Sequence, residues 1–297
     1  MNKFVPAGKV YNMEIDDPSE LGKIDGAVMI FDGRSFLAVR SPNGEVRLPE
    51  LKALNWSKLI NQRIFRVGEL SGRRCYLIDG ARQQNFREEI VDGCQADWLE
   101  MRSFMAKLSL DEMAALIRGH ELQHWWRRRQ YCGVCGGKNQ LSENEIAMIC
   151  PNCGEVFYPE ISIAVITAIV RGDEILLAHN NNFVADMYGL ISGFVEIGEN
   201  MEQAVSREIK EEIGVSVKNI RYFSSQCWPY PSVLMAGFWA DYDDGVVAPD
   251  KVEISDAKFY RYDNLPLIPK VGSIARRIID EFVRERTQIN TKWWSGG

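Results

Sequence analysis

The chain has 297 residues, 46% of them hydrophobic and 26% charged, with a formal net charge of −6. That length accommodates two domains with separate cores, and the ordinary composition excludes a disordered or fibrous chain. The negative balance argues against bulk adhesion to nucleic acid or anionic membrane.

No apolar stretch of signal-peptide length opens the chain, and the longest apolar run, Ile161–Val170, is too short to span a bilayer. A soluble, cytoplasmic protein is expected. Residues 1–128 mix strand-like runs, Ala27–Phe31 and Cys75–Ile78, with turn signals at Pro42-Asn43-Gly44 and Asp79-Gly80. A helix follows from Ser109, which caps it, with Glu112 completing a capping box. This part reads as a mixed α/β N-terminal domain. Arg127, Arg128 and Arg129 form a basic patch, either a solvated helix end or a contact for nucleic acid.

Residues 129–157 are short, glycine-punctuated and cysteine-bearing. Cys132 and Cys135 form one CxxC unit, Cys150 and Cys153 another, with fourteen residues between the units. Four thiolates so spaced can close tetrahedrally around Zn²⁺, with Gly136 and Gly154 permitting the turn after each pair. A closed Cys₄ shell leaves no open position for substrate, so the ion's role is structural. Paired thiols also fit a reducing compartment better than a disulfide framework. Cys75, Cys94 and Cys227 read as small hydrophobes.

From residue 158 onward, strand patterns at Ile161–Val170, Glu174–His179, Gly189–Val195, Ile220–Ser225, Val233–Ala240 and Ala257–Arg261 surround two helices. The first spans Met201–Ile213, with Asn200 and Gln203 as its cap pair and Gly214 beyond its end; the second spans Gly272–Arg286. This alternation indicates α/β or α+β layering. On the first helix, at about 100° per residue, Glu208, Glu211 and Glu212 share one narrow sector. Three like charges on one patch need full solvation or a cation between them. Met201, Val205, Ile209 and Ile213 form the apolar stripe that holds the helix to a core.

The pattern Gly193-x5-Glu199-x7-Arg207-Glu208-Ile209-x-Glu211-Glu212-x-Gly214-Val215 resembles the Nudix box at every fixed position. The resemblance implies an α/β/α sandwich that hydrolyses a nucleoside diphosphate linked to another moiety, with Mg²⁺ or Mn²⁺. It makes Glu208, Glu211 and Glu212 metal ligands, one of them (Glu211) handling the attacking water. Glu199 contributes more loosely, Arg207 orients the glutamates, and Gly193 and Gly198 shape the loop entering the helix. Ser192 offers its carbonyl to a metal.

Downstream, Ser225-Gln226-Cys227-Trp228-Pro229-Tyr230-Pro231-Ser232 resembles the SQPWPFPxS array of the NADH pyrophosphatase branch. Cys227 stands where the array has Pro, and Val233 stands at its closing Ser position. Two prolines stiffen the segment, and Trp228 and Tyr230 offer flat faces to a base or nicotinamide ring. That branch also carries a Cys₄ ribbon followed by a Tyr-Pro pair, here Tyr158-Pro159. Further matches are Glu145 in the ribbon, Glu253 as a late metal ligand, the Tyr260–Pro266 stretch, and Ala275 at the start of the final helix.

The match covers about Tyr131–Glu285; in the first 130 residues Arg102 alone is a candidate substrate contact. The resemblance implies a homodimer that splits NAD(H) into NMN(H) and AMP, with NAD-capped RNA as an extended form of the same substrate. The alternatives are a Nudix hydrolase for another dinucleotide or ADP-sugar, and a noncatalytic nucleotide- or RNA-binding module. Three domains follow: 1–128, the ribbon at 129–157, and the hydrolase domain at 158–297.

Overall fold

The computed structural model describes residues 4–13, 24–40, 46–54, 63–79, 95–104, 108, 110–229 and 232–292. The Pro42-Asn43-Gly44 turn, Gly80, Cys94, the Ser109 cap, and Tyr230 with Pro231 lie outside these residues. The chain forms two compact units, Met1–Glu160 and Ile161–Gly297.

In the first unit, β1 (Phe4–Met13), β2 (Ala27–Asp32), β3 (Ser35–Arg40), β4 (Val46–Arg47), β5 (Arg63–Leu70) and β6 (Arg73–Asp79) order as β1-β5-β6-β2-β3-β4, and β7 (Gln95–Glu100) pairs with β3. β2 and β6 run parallel, and the other pairs are antiparallel. The sequence pattern exposes β2 and β6 because both are near-continuous apolar runs. It hides β1, which carries Pro6 and Gly8. Such a strand survives at a sheet edge, where a bulge between Pro6 and Tyr11 absorbs the proline. Val28, Ile30, Leu37, Val39, Tyr76 and Ile78 fill one core, closed by Leu51 and Leu54.

Helix α1 (Leu110–Arg128) packs on this sheet through Met113, Leu116, Ile117, Leu122, Trp125 and Trp126, all buried. Its Arg118 donates to the carbonyls of Val67 and Ala7 at 2.9 and 2.6 Å, which satisfies strand oxygens where the ladder bulges. Arg127 and Arg128 fall in the last turn of α1, where their charge complements the helix dipole. Beyond it, β8 (Gln140–Leu141), β9 (Met148–Ile149) and β10 (Val156–Phe157) form a small antiparallel sheet in the order β10-β9-β8.

The second unit is a mixed sheet of β11 (Ser162–Arg171), β12 (Glu174–Asn180), β13 (Ile191–Phe194), β14 (Ser216–Trp228), β15 (Val233–Asp244) and β16 (Ile254–Arg261). The order is β14-β15-β11-β12-β16, with β13 on β11 and only β11 and β15 parallel among these pairs. Alternation along β11 and β12 assigns the two faces. Val165, Ile169, Leu176 and Ala178 meet Ala204, Val205, Ile209 and Ile213 of α2 (Met201–Ile213). Ile166, Ala168, Ile175 and Leu177 meet Ile274, Ile278, Ile279 and Phe282 of α3 (Ile274–Lys292). The expected α/β/α sandwich is present, each fully buried aliphatic contributing about 1.5–3 kcal/mol of transfer energy.

Helix α2 has the bounds its sequence signals imply. Asn200 Oδ1 accepts from Gln203 N at 2.9 Å, Gln203 Oε1 accepts from Asn200 N at 2.8 Å, and Gly214 closes the end at φ 77°. Other elements run past their expected ends. β14 extends through the bulged, polar Ser216–Asn219 stretch and on to Trp228, and α3 continues to Lys292.

Candidate active site and zinc centre

Glu212 sits on the inner side of α2 and is only 6% exposed. Burial pushes its carboxyl up to about 8, and Glu208, Glu253, Asp250 and Glu211 push in the same direction. Burial also raises Glu208, with the neighbouring Arg207 guanidinium opposing and Glu211 and Glu253 reinforcing. Glu253, far away in sequence, is thus part of the electrostatic surroundings of both α2 carboxylates.

Arg207 is the local counter-charge, and it is fully committed. It grips Glu199 through two bonds of 3.1 and 2.6 Å, donates to Glu208 at 2.9 Å and Glu211 at 3.1 Å, and donates to the Phe194 carbonyl at 2.8 Å. The bidentate grip holds the Glu199 carboxyl below its ordinary range. Glu199 in turn accepts from Glu196 N at 2.8 Å, which ties the loop before α2 to the guanidinium. Glu212 receives no bond from Arg207.

Gly193 and Gly198 play different parts. Gly198 has φ 94°, so it shapes the loop as expected. Gly193 instead lies within β13, and a Cβ built on it would fall 1.9 Å from Cδ of Glu208. Its missing side chain is the slot that the Glu208 carboxylate occupies. Gly193→Ala is therefore expected to displace that carboxylate and lower turnover roughly 10²-fold, the scale of an ångström misplacement. Unchanged steady-state rates in the alanine variant would show that the slot has no catalytic consequence.

The four ribbon cysteines converge. Their Sγ atoms all lie within 4.8 Å of one another, the one such group of three or more ligand-type side chains among the described residues. Cys132 and Cys153 sulfurs are 3.7 Å apart and Cys135 and Cys150 sulfurs 3.5 Å, close to the edge of about 3.8 Å that ~2.3 Å Zn–S bonds impose on a tetrahedron. Each knuckle closes alike, Gly136 N donating to Cys132 O at 3.0 Å and Gly154 N to Cys150 O at 2.9 Å. Both glycines have φ near 75°, at 75° and 76°. A four-thiolate donor set of this size fits Zn²⁺ and leaves it no open position.

The Nudix domain family matches residues 161–282, and the family described as NADH pyrophosphatase zinc ribbon domain matches residues 127–158. The chain is 41% identical over 244 residues to the NAD-capped RNA hydrolase NudC of Shigella dysenteriae, covering 82% of this chain and 88% of that protein. It is also 41% identical over 242 residues to the protein of the same name in Escherichia fergusonii, with the same coverages of 82% and 88%. The chain belongs to the Nudix hydrolases, in the zinc-ribbon NADH pyrophosphatase branch. Among solved structures, a Nudix hydrolase of Nitrosomonas europaea aligns at TM-score 0.44 and 23% identity, over 54% of this chain and 93% of that one.

In this Nudix hydrolase two of the expected recognition residues, one inside the ribbon and one just after it, come together. Tyr158, 56% exposed, donates its hydroxyl to Glu145 Oε1 at 3.2 Å, and that bond raises the phenol. In the array, Gln226 and Cys227 belong to β14 rather than to a free loop, Trp228 ends that strand opposite Val233, and Pro229 and Val233 are buried. Gln226 Nε2 donates to Gly272 O at 2.8 Å, and Ser232 O accepts from Ser162 N at 2.9 Å. Ser192 is exposed on β13 opposite Ile166. Ala275 is packed into the core beneath α3, so its methyl supports the fold. Arg102 lies on a short helical turn, Met101–Phe104, and its side chain is outside the described residues.

Phe194 was not among the residues singled out from sequence. It is 55% exposed on β13, directly after the Gly193 slot, with its carbonyl held by Arg207. Its signal was available, since a large aromatic next to an obligatory glycine at a charged site has no core to fill.

The donor chemistry of the carboxylates is that of a hard divalent cation's ligands. Glu208, Glu212 and Glu253 carry oxygen donors with excess negative charge, and Arg207 is spent on Glu199, Glu208 and Glu211, although among the described residues these carboxylate oxygens are not gathered within 4.8 Å of one another as the ribbon sulfurs are. Among the described residues, no helix is long and apolar enough to cross a membrane.

Proposed function

We propose that the protein hydrolyses the central pyrophosphate of NAD(H) to NMN(H) and AMP, as a free dinucleotide and as the 5′ cap of RNA. The observation that carries the hydrolytic part is Glu212, a buried carboxyl raised to about 8 among Glu208, Glu253 and Asp250. Such a group is costly unless a cation joins it. Glu208, Glu212 and Glu253 would hold Mg²⁺ or Mn²⁺, and the family resemblance adds the Ser192 carbonyl as a further ligand. When bound, the ion supplies charge neutralisation at the phosphate oxygens and a more acidic water.

The chain's own groups do the rest. Arg207 fixes the directions of Glu199, Glu208 and Glu211. The Glu211 side chain is 61% exposed and tethered through one oxygen, Oε2, which leaves Oε1 to accept the proton of the attacking water. That water adds to one phosphorus, the bridging P–O bond breaks, and the other phosphate leaves with the electron pair. Trp228 and Phe194 provide flat faces for the base or nicotinamide, Tyr230 follows two residues after Trp228 in the array, and Tyr158 is a candidate that the family resemblance supplies. The dinucleotide itself is supported by the names of the relatives and by the Trp228-Pro229-Tyr230-Pro231 core. The family resemblance supports a homodimer, and the reduced thiol pairs support a cytoplasmic setting. We assign hydrolysis and ring recognition to 158–297 and a structural role to the zinc-held segment 129–157.

A product assay decides the substrate. NADH, NAD-capped RNA, ADP-ribose and diadenosine polyphosphates are compared under Mg²⁺ and Mn²⁺. Release of NMN(H) and AMP from the first two at the highest kcat/KM is expected. Preference for the last two would transfer the protein to the other-dinucleotide reading, and binding without metal-dependent cleavage would make it a binding module.

A further inference from the structure

The loop that presents Glu253 is held from both sides by side chains that the Nudix box does not contain. Asp250 Oδ1 accepts from three successive amides, those of Val252 and Glu253 at 3.1 Å each and Ile254 at 2.9 Å. Its Oδ2 adds only a longer contact to Glu253 N at 3.3 Å. Asp250 N in turn donates to Glu212 O at 2.9 Å, so one residue bonds the backbone of Glu212 and the backbone of Glu253. On the other side, Asn181 N donates to Glu253 O at 2.8 Å and Asn181 Nδ2 to Val252 O at 2.8 Å. The loop accepts a left-handed Lys251 at φ 67°, a non-glycine conformation that persists where its surroundings over-determine it.

We infer that Asp250 and Asn181 are positioning residues that clamp Glu253 at a fixed distance from Glu212, and so set the affinity of the carboxylate site for its divalent cation. The inference rests on the reading of Glu208, Glu212 and Glu253 as cation ligands. Asp250 acts through hydrogen-bond acceptance at Oδ1 rather than through its charge. Its negative charge in fact adds to the repulsion felt by Glu212. A flexible Glu253 must be ordered each time the cation binds, and the clamp removes that ordering cost beforehand.

The test uses the full-length zinc-loaded protein and Mn²⁺ alone as probe, with free Mn²⁺ followed by electron paramagnetic resonance. Asp250→Ala is expected to weaken Mn²⁺ binding at least tenfold. The metal concentration giving half-maximal hydrolysis should rise by the same factor, with kcat at saturating metal lowered less than threefold. Asp250→Asn keeps the Oδ1 acceptor and loses the charge, so it is expected to stay within threefold of the parent on both measures. Asn181→Ala removes one side-chain bond, leaves the Asp250 turn in place, and is expected to fall between the two.

Equal losses in Asp250→Asn and Asp250→Ala would overturn the clamp and assign Asp250 a charge role. Parental Mn²⁺ affinity in Asn181→Ala and Asp250→Ala would overturn it as well. If Asp250→Ala does not fold, Asp250→Asn and Asn181→Ala carry the same decision. Unaltered Mn²⁺ binding in Glu212→Gln is a separate outcome; it would remove the ligand assignment itself and the clamp's purpose with it.

Discussion

Glu212→Gln is expected to lower pyrophosphate hydrolysis by on the order of 10³-fold while making the metal-free protein more stable at pH 8. The two effects share one cause. Glu212 titrates near 8 in the fold against an ordinary value of 4.5, because burial and the Glu208, Glu253 and Asp250 charges disfavour its anion. A folded pKa above the unfolded one means the folded state binds the proton more tightly. The resulting penalty is absent below about pH 4.5 and grows as pH rises toward 8, at ~1.4 kcal/mol per unit. Screening by nearby water lowers the net figure at pH 8 to about 2 kcal/mol.

Glutamine has the same shape and no charge, so it escapes the penalty and cannot replace a carboxylate ligand. Thermal denaturation from pH 5 to 8 in chelator should show a falling Tm for the parent, a flatter line for the variant, and recovery of the parent by added Mg²⁺. For about 2 kcal/mol the gap at pH 8 is on the order of 5 °C. A variant that keeps full activity, or that is less stable than the parent at pH 8, would remove Glu212 from the cation site.

The parts of this site that are local in sequence were legible there. The capping pair Asn200 and Gln203, the glutamate sector on α2 and the two CxxC knuckles each depend on spacings of a few residues, and the fold reproduces them. What escaped depends on contacts between distant strands. Gly193 was read as a loop former, whereas its reason for being glycine is the Glu208 carboxylate, visible only once β13 lies beside α2. The Asp250 turn spans five residues, yet its meaning depends on Glu212 and Asn181 being on either side of it. β1 was missed because edge strands tolerate the proline and glycine that a pattern search treats as breakers.

Replacing one thiolate in each knuckle, as Cys132→Ser/Cys150→Ser, is expected to unfold the ribbon and leave the second unit folded. The ribbon has little else to hold it. Its three strands are two residues long, and besides Cys132 and Cys150 its buried apolar side chains are Ala147 and Met148. A core of that size cannot offset the ordering of some 25 residues at about 1–2 kcal/mol each. Structural Zn²⁺ supplies an apparent 10–16 kcal/mol in small ribbons and fingers, so here metal binding and folding are one event.

The double variant should lose one zinc equivalent per chain. In hydrogen exchange, amides of Cys132, Gly136, Cys150 and Gly154 should lose protection, while those of β11 and α2 keep theirs. A protected ribbon without metal would show that packing, not zinc, folds it.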